Sequence, residues 1–366
     1  MKINARLAVA WASVIIFSVF GVEMAAGEHP AGTIFLFAWL LAVIFWSAFG
    51  VVHEAEELAD RLGEPYGTLV LTLSIVVIEV ALISAVMLGP TAAPTLGRDT
   101  MFAVLMIVLN GVVGLCLITG GLKYHLQSFN LQGAGAYLAL IIPLSMISLV
   151  LPNFTTSARG GMLSPVQATF FSIFTLGLYG LFLWLQTGRH SGFFVAAPLK
   201  EGAEPGQPML HHVRAQGSTP ARVGLLFANI LPIIILSKSL AKMLDEGLAL
   251  TGAPASLSGI IIAMIVFTPE GISAMKAVAA NQLTRAINLC LGAATSTLGL
   301  TVPAVLAIGV FSQQPVTLGL SQANMVLLAV TLILNTLTFS GTRTSMLEGA
   351  THLSLFFVFL VLIFSP

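Results

Sequence analysis

Apolar residues in this chain come in runs of about twenty, the length that carries an α-helix across a bilayer. Such runs fall at 6–25, 31–52, 67–89, 100–121, 132–151, 166–187, 222–241, 255–279, 284–311, 321–341 and 349–365. They predict an all-α membrane protein with about eleven transmembrane helices. The ten-residue segments of alternating hydrophobicity that mark a membrane barrel are missing from the pattern. The longest polar stretch, 188–220, holds several Gly and Pro residues and predicts a linker.

Composition agrees and excludes other classes. Only 8 % of the 366 residues are charged, 15 basic and 15 acidic, and 57 % are apolar. An ordinary soluble protein carries about 25 % charge. A soluble enzyme, a disordered chain and a nucleic-acid binder are all excluded, the last because there is no basic excess. The two cysteines, Cys116 and Cys290, lie in apolar runs outside any CxxC pair. They imply neither a disulfide framework nor a zinc site, and read as small buried hydrophobes. Lys2 and Arg6 before the first run also suit a cleaved signal peptide; the ten further runs favour a first span that stays.

Lys and Arg set the orientation. With the N-terminus in the cytoplasm, eleven basic residues face that side: Lys2, Arg6, Arg61, Lys123, Arg189, Lys200, Arg214, Arg222, Lys276, Arg285 and Arg343. Four face the other side: Arg98, Arg159, Lys238 and Lys242. This orientation places the C-terminus outside, and the resemblance set out below implies a bacterial cytoplasmic (inner) membrane. Setting the first span aside, the linker divides the rest five and five, so the halves run in opposite senses. That is the 5+5 inverted-repeat plan of secondary transporters. The expected divisions are 1–30 for an extra N-terminal helix, 31–187 and 221–366 for the repeats, and 188–220 for a cytoplasmic linker. Two internal matches support the repeat. Glu79-Val-Ala-Leu-Ile-Ser-Ala matches Glu270-Gly-Ile-Ser-Ala, and Asn110-x-x-x-Gly114 matches Asn288-x-x-x-Gly292.

Thirteen acidic residues fall in connections or near helix ends, and only Glu79 and Glu270 fall near the middle of apolar runs. A carboxylate at mid-bilayer costs at least a few kcal/mol and commonly marks an ion or proton path. Two close carboxylates in a low dielectric cannot both stay ionised and unpaired. The pair holds protons or a neutralising cation, and the two exclude each other. A hard divalent cation with oxygen ligands fits, as Ca²⁺ does. Alternating access of such a site yields exchange. A passive cation channel could use the same carboxylates, but without coupling to ΔpH. An intramembrane enzyme is not expected, since paired mid-span Asp and a mid-span His/Ser dyad are both missing from the sequence.

Other residues suit the site. Thr72 lies two turns before Glu79 on the same helix face. Pro269 cannot donate a backbone bond, which frees the carbonyl of Ile265. Asn288, Gly292, Thr295 and Gly299 fall on one helical stripe, with Ser296 beside it. The glycines there equally suit close helix packing. The stretch His53 to Asp60 could gather cations or sense pH, although a solvated helix end explains it as well. His211 and His212 lie in the linker and read as loop. Lys276 and Arg285 read as interfacial snorkelling residues. His352 carries no assignment.

These residues resemble a family. Arg61-Leu-Gly-Glu-Pro-Tyr-Gly-Thr-Leu, leading into Ile78-Glu79-Val-Ala-Leu-Ile-Ser84, is similar to the first signature of bacterial ChaA-type calcium/proton antiporters of the calcium/cation antiporter superfamily. Thr268-Pro-Glu270-Gly, Lys276 through Gln282, Arg285-Ala-Ile-Asn-Leu and Gly292 through Pro303 resemble the second. The resemblance runs from about Val51 to the C-terminus. It implies efflux of Ca²⁺, and also of Na⁺ or K⁺, in exchange for H⁺, with no cofactor beyond the transported ions. Glu79 and Glu270 would match the family's ion-binding glutamates. Asn110 and the Gly292–Ser296 segment would match the polar helices beside them. Two features depart from the wider superfamily. Ile75-Val76 and Val266-Phe267 stand where Gly-Asn is common, and the linker has only Glu201 and Glu204 as acids.

Overall fold

The computed structural model describes residues 5–26, 30–63, 66–88, 94–188, 191–194, 219–254, 256–341 and 343–365. Most of the 188–220 linker, with His211, His212, Glu201 and Glu204, lies outside the described residues. The rest forms eleven helices: α1 (Ala5–Ala26), α2 (Pro30–Leu62), α3 (Tyr66–Met87), α4 (Leu96–Tyr124), α5 (Leu131–Asn153), α6 (Pro165–Thr187), α7 (Thr219–Thr251), α8 (Ser256–Ala279), α9 (Leu283–Ser312), α10 (Gln322–Thr338) and α11 (Met346–Phe364). Among the described residues, nine are long and apolar enough to cross a membrane, and α10 and the described part of α1 are shorter.

Polar groups sort the connections onto two ends of the bundle. At one end, β1 (Gln127–Ser128) pairs antiparallel with β2 (Arg343–Thr344). Lys123 Nζ and Tyr124 Oη there donate to the Ala279 carbonyl, each at 2.7 Å. At the other end, Thr317 N donates to the Pro94 carbonyl, Arg98 Nη1 to the Gly319 carbonyl and Asn153 Nδ2 to the Leu320 carbonyl. Arg98 and Asp99 form an ion pair there at 2.8 Å.

α2 and α7 are 33 residues each, about 50 Å of helix at 1.5 Å per residue, longer than the ~30 Å hydrocarbon layer. They pack against each other, with α1 against both. Trp11 Nε1 donates to the Ala228 carbonyl, and Trp39 Nε1 to Ser13 Oγ. The surplus length of α2 carries the His53–Asp60 stretch. That stretch is not wholly a solvated end, because Glu54 is buried. Arg222 at the start of α7 reaches it at 2.8 Å and Glu57 at 2.6 Å. A buried carboxylate needs such a partner, since desolvation would otherwise be uncompensated.

α4 and α9 form the centre. In α4 83 % of the span is buried, and in α9 67 %, whereas α6 and α11 are at 22 % and present most of their apolar surface outward. Their packing is reciprocal: α3 lies against α9, and α8 against α4. Neither central helix is regular. α4 is π-helical over Ile107–Val112 and α9 over Thr297–Thr301, and a third π-turn, Met146–Val150, lies in α5. A π-turn inserts a residue and rotates the following face relative to a regular helix.

Close crossings depend on small residues, as usual where lipid gives no hydrophobic drive between helices. Gly114 on α4 meets Gly349 on α11. A β-carbon at Gly349 would lie 2.7 Å from Ile118 N and 2.8 Å from the Gly114 carbonyl oxygen. Gly349→Val is expected to separate α4 from α11 and destabilise the protein by about 1–3 kcal/mol, the usual cost of overpacking. Thermal unfolding in detergent tests this, with Gly341→Val as the tolerated control, since a β-carbon there would come no nearer than 3.7 Å to another described atom, the Arg343 carbonyl oxygen.

Candidate cation site

Glu79 lies in the middle of α3 with no exposed surface. α3 stays helical around it without a Gly or Pro break. Ser74 and Ser84 spend their hydroxyls on Val70 and Val80 carbonyls of the same helix, which keeps the segment compatible with its apolar surroundings. Glu79 Oε2 accepts a hydrogen bond from Thr297 Oγ1 at 3.0 Å, while the nearby Thr301 hydroxyl is buried without a hydrogen-bond partner among the described residues. Glu79 Oε1 is buried and has no partner among the described residues.

Glu270 follows Pro269 in α8, which remains helical through the proline. Proline removes the bond to the Ile265 carbonyl, and Thr268 Oγ1 donates to the carbonyl of Met264 at 2.5 Å. Glu270 lines a small pocket with Val108 and Val112 of α4, Phe267 and Gly271 of α8, and Leu289, Cys290 and Ala293 of α9. Its Oε2 is buried and unpartnered among the described residues. Glu79 and Glu56 act on it electrostatically. Two carboxylates thus approach each other from crossing halves of the packing, each with an open oxygen. Such an arrangement suits protons, or a cation whose remaining ligands would be hydroxyls, carbonyls and water. Among the described residues no group of three or more His, Cys, Asp or Glu could hold a metal ion. A six- to eight-coordinate Ca²⁺ would therefore draw most of its oxygens from neutral groups.

The other expected residues scatter. Thr72 faces Tyr179 of α6, a residue whose role nothing in the sequence pattern marks. The Tyr179 ring lies on the π-turn of α9, where a β-carbon at Gly299 would be 2.7 Å from its Cγ. Asn288 donates to the Phe194 carbonyl at 2.6 Å, near the end of α9. Thr295 and Ser296 bond carbonyls of their own helix, Leu291 and Ala293. The hydroxyl that reaches Glu79 comes from Thr297 instead. Thr297 stands two residues past Thr295, about 200° round a regular helix, on a different face from the stripe through Asn288.

Asn110 sits in the π-turn of α4 and points to α10 and α11. Its Nδ2 donates to Thr331 Oγ1 at 2.8 Å, and its Oδ1 faces His352 Nδ1 at 3.3 Å. His352 Nε2 is 3.0 Å from Thr338 Oγ1. All four side chains are buried. Asn110 Oδ1 can only accept, so His352 carries its proton on Nδ1 and receives the Thr338 hydroxyl on Nε2. This chain pins the π-turn whose Val108 and Val112 wall Glu270. It also accounts for His352.

The Asn-x-x-x-Gly match proves out of register with the glutamates. Asn110 is 31 residues after Glu79, while Asn288 is 18 after Glu270. The π-turns are in register, starting 28 residues after Glu79 and 27 after Glu270.

The family profile described as sodium/calcium exchanger protein matches residues 32–188 and 222–365. The chain belongs to that family. It is 39 % identical over 329 residues to the sodium-potassium/proton antiporter ChaA of Escherichia coli (strain K12), covering 89 % of this chain and 88 % of that one. It is 22 % identical to the Ca²⁺/H⁺ antiporter of Aphanothece halophytica, covering 87 % and 86 %. A crystal structure of the Ca²⁺/H⁺ antiporter protein YfkE superposes with a TM-score of 0.71 at 20 % identity, covering 99 % of this chain and 100 % of that one. The chain is thus a ChaA-type, multi-pass membrane member of the calcium/cation antiporter superfamily.

Thr297→Val removes the hydroxyl on Glu79, whereas Thr295→Val removes only an intrahelical bond. A hydrogen bond to a charged group contributes about 1.5–3 kcal/mol. Thr297→Val is expected to raise the KM for the transported cation by roughly tenfold, the lower end of that range, and Thr295→Val to leave it near wild type. Flux against cation concentration in liposomes reads both.

Proposed function

We propose that this antiporter exchanges cations for protons at one site built on Glu79 and Glu270, where cation and protons compete. The observation that carries this reading is the pair of buried carboxylates with open oxygens, brought together by α3 and α8 and backed by α9 and α4. With both acids ionised and no cation, the site would hold two uncompensated charges in low dielectric. Protons or a cation must therefore be present at each step. Only loaded forms can change access, which couples the two fluxes.

The cargo is Ca²⁺, Na⁺ or K⁺. Two carboxylates neutralise one Ca²⁺ against two protons, or monovalent ions against one proton each. The likeness to a sodium-potassium/proton antiporter at 39 % identity weights the monovalent ions more heavily than the carboxylate pair alone does. The two matched stretches, separated by 189–221, and the reciprocal helix packing support two inverted halves, 31–187 and 221–366, joined by a cytoplasmic linker at 188–220. The excess of Lys and Arg supports a cytoplasmic N-terminus and an external C-terminus in the bacterial inner membrane.

Purified protein in liposomes is expected to take up Ca²⁺, Na⁺ or K⁺ only when a pH gradient is imposed. Glu79→Gln and Glu270→Gln are each expected to abolish uptake while the protein still elutes as a single folded species. Uptake indifferent to the gradient would indicate a channel. Full activity in both variants would remove the two glutamates from the site. Competition among the three cations in the same assay ranks them.

A further inference from the structure

The chain has two cysteines, 174 positions apart, one in each central helix. The fold brings them together. Cys116 on α4 donates to Met275 Sδ on α8 at 3.6 Å and faces the thiol of Cys290 on α9. Both thiols are buried and free. Cys290 and Glu270 line the same small pocket. Three sulfur atoms from three helices therefore converge beside one of the two transport carboxylates. A chain with only two cysteines has no packing need to put them in contact there, since any small apolar residue would fill the same space.

Sulfur ligands select cations by softness: thiolate and thioether groups favour copper(I)-like ions over Ca²⁺, Na⁺ or K⁺. Such d¹⁰ monovalent ions need only two or three ligands. We propose that Cys116, Cys290 and Met275 form a site for a soft monovalent cation of the copper(I) class, and that filling this site blocks exchange at Glu270.

The binding step balances without any change of oxidation state. The cation replaces the proton of the Cys290 thiol, forming a sulfur–metal bond. Cys116 and Met275 add neutral sulfur ligands. The displaced proton is released to water, and Glu270 keeps the proton it carries when no cargo is bound. Glu270 is then held neutral and α4, α8 and α9 are tied together, so cargo cannot enter and the helices cannot change access. The blocking step rests on the exchange reading of Glu270; the binding step does not.

Silver(I), a redox-inert probe of the same class, tests both steps. Metal analysis of purified full-length protein after removal of excess ion is expected to find one tightly held Ag⁺ per chain. Cys116→Ala and Cys290→Ala are each expected to lose it, and Cys116→Ser and Cys290→Ser repeat the count where alanine disturbs folding. Met275→Leu is expected to weaken binding by about tenfold, a loss usual for supporting groups at metal sites. In liposomes, Ag⁺ is expected to stop gradient-driven cation flux in the wild type and to spare the Cys116→Ala/Cys290→Ala double variant. An unchanged Ag⁺ count in the single variants overturns the site. A lost count with equal inhibition of wild type and double variant overturns the block. If the wild type shows no gradient-driven flux, the exchange reading fails, and the Ag⁺ count still decides the site.

Discussion

A carboxylate surrounded by apolar helices cannot stand ionised and alone, and the rest of this structure follows from that constraint. The energy of an unpaired charge falls steeply once a proton or a cation joins it, so Glu79 and Glu270 are loaded or unstable. A protein that needed only a stable bundle would place neither of them there. Compare Glu54. It is buried as well, but Arg222 fills its need permanently, and it is fixed as part of the scaffold. The two midplane glutamates differ in having no permanent cation among the described residues. On the exchange reading proposed above, a transported cation or proton is the mobile counterpart of that ion pair.

Holding two such groups together without collapse requires central helices that are both close and irregular. α4 and α9 supply this through π-turns at matching distances from the glutamates. On α9 the turn opens with Thr297, which donates to Glu79, and leaves Gly299 open to the Tyr179 ring. On α4 the turn is tied outward by Asn110 to Thr331 and His352, and presents Val108 and Val112 inward. A π-turn is less favourable than the α-helix it interrupts, so it persists only where neighbours hold it. The aromatic cover on one side and the polar pin on the other are those neighbours.

The spans and the two glutamates were legible in the sequence because both are one-dimensional signals. A twenty-residue apolar run and an acid in its middle need no partner to be seen. Polar partners across helices were legible only in part. Thr295 and Ser296 follow from a stripe drawn through Asn288, but the face that meets Glu79 is the one that carries Thr297. Asn110 was visible as a polar residue in a span, though its partners Thr331 and His352 lie 221 and 242 residues away. Tyr179 looked like any aromatic on a lipid-facing helix. Cys116 and Cys290 were read as inert because no short motif joins them, and only the crossing of α4 with α9 makes them neighbours.

The two halves pack reciprocally, yet they do not treat their glutamates alike. Thr297, 27 residues after Glu270, donates to Glu79. The position 27 residues after Glu79 is Met106, a thioether that donates nothing and instead accepts weakly from Asn110 and Thr331. Thr301 corresponds by the same count to Asn110, which is turned away to His352. Glu79 therefore faces hydroxyls, while Glu270 faces valines, leucine and the Cys290 thiol. Hydroxyls can donate to an ionised carboxylate and turn their oxygen to a metal ion, whereas sulfur and methyl groups do neither well. An ion at the midplane is thus better served from the Glu79 side, and Glu270 depends more completely on the proton or cation itself. Reciprocal packing of the halves leaves unlike surroundings, and the difference lies in the residues at and beside the π-turns rather than in the glutamates.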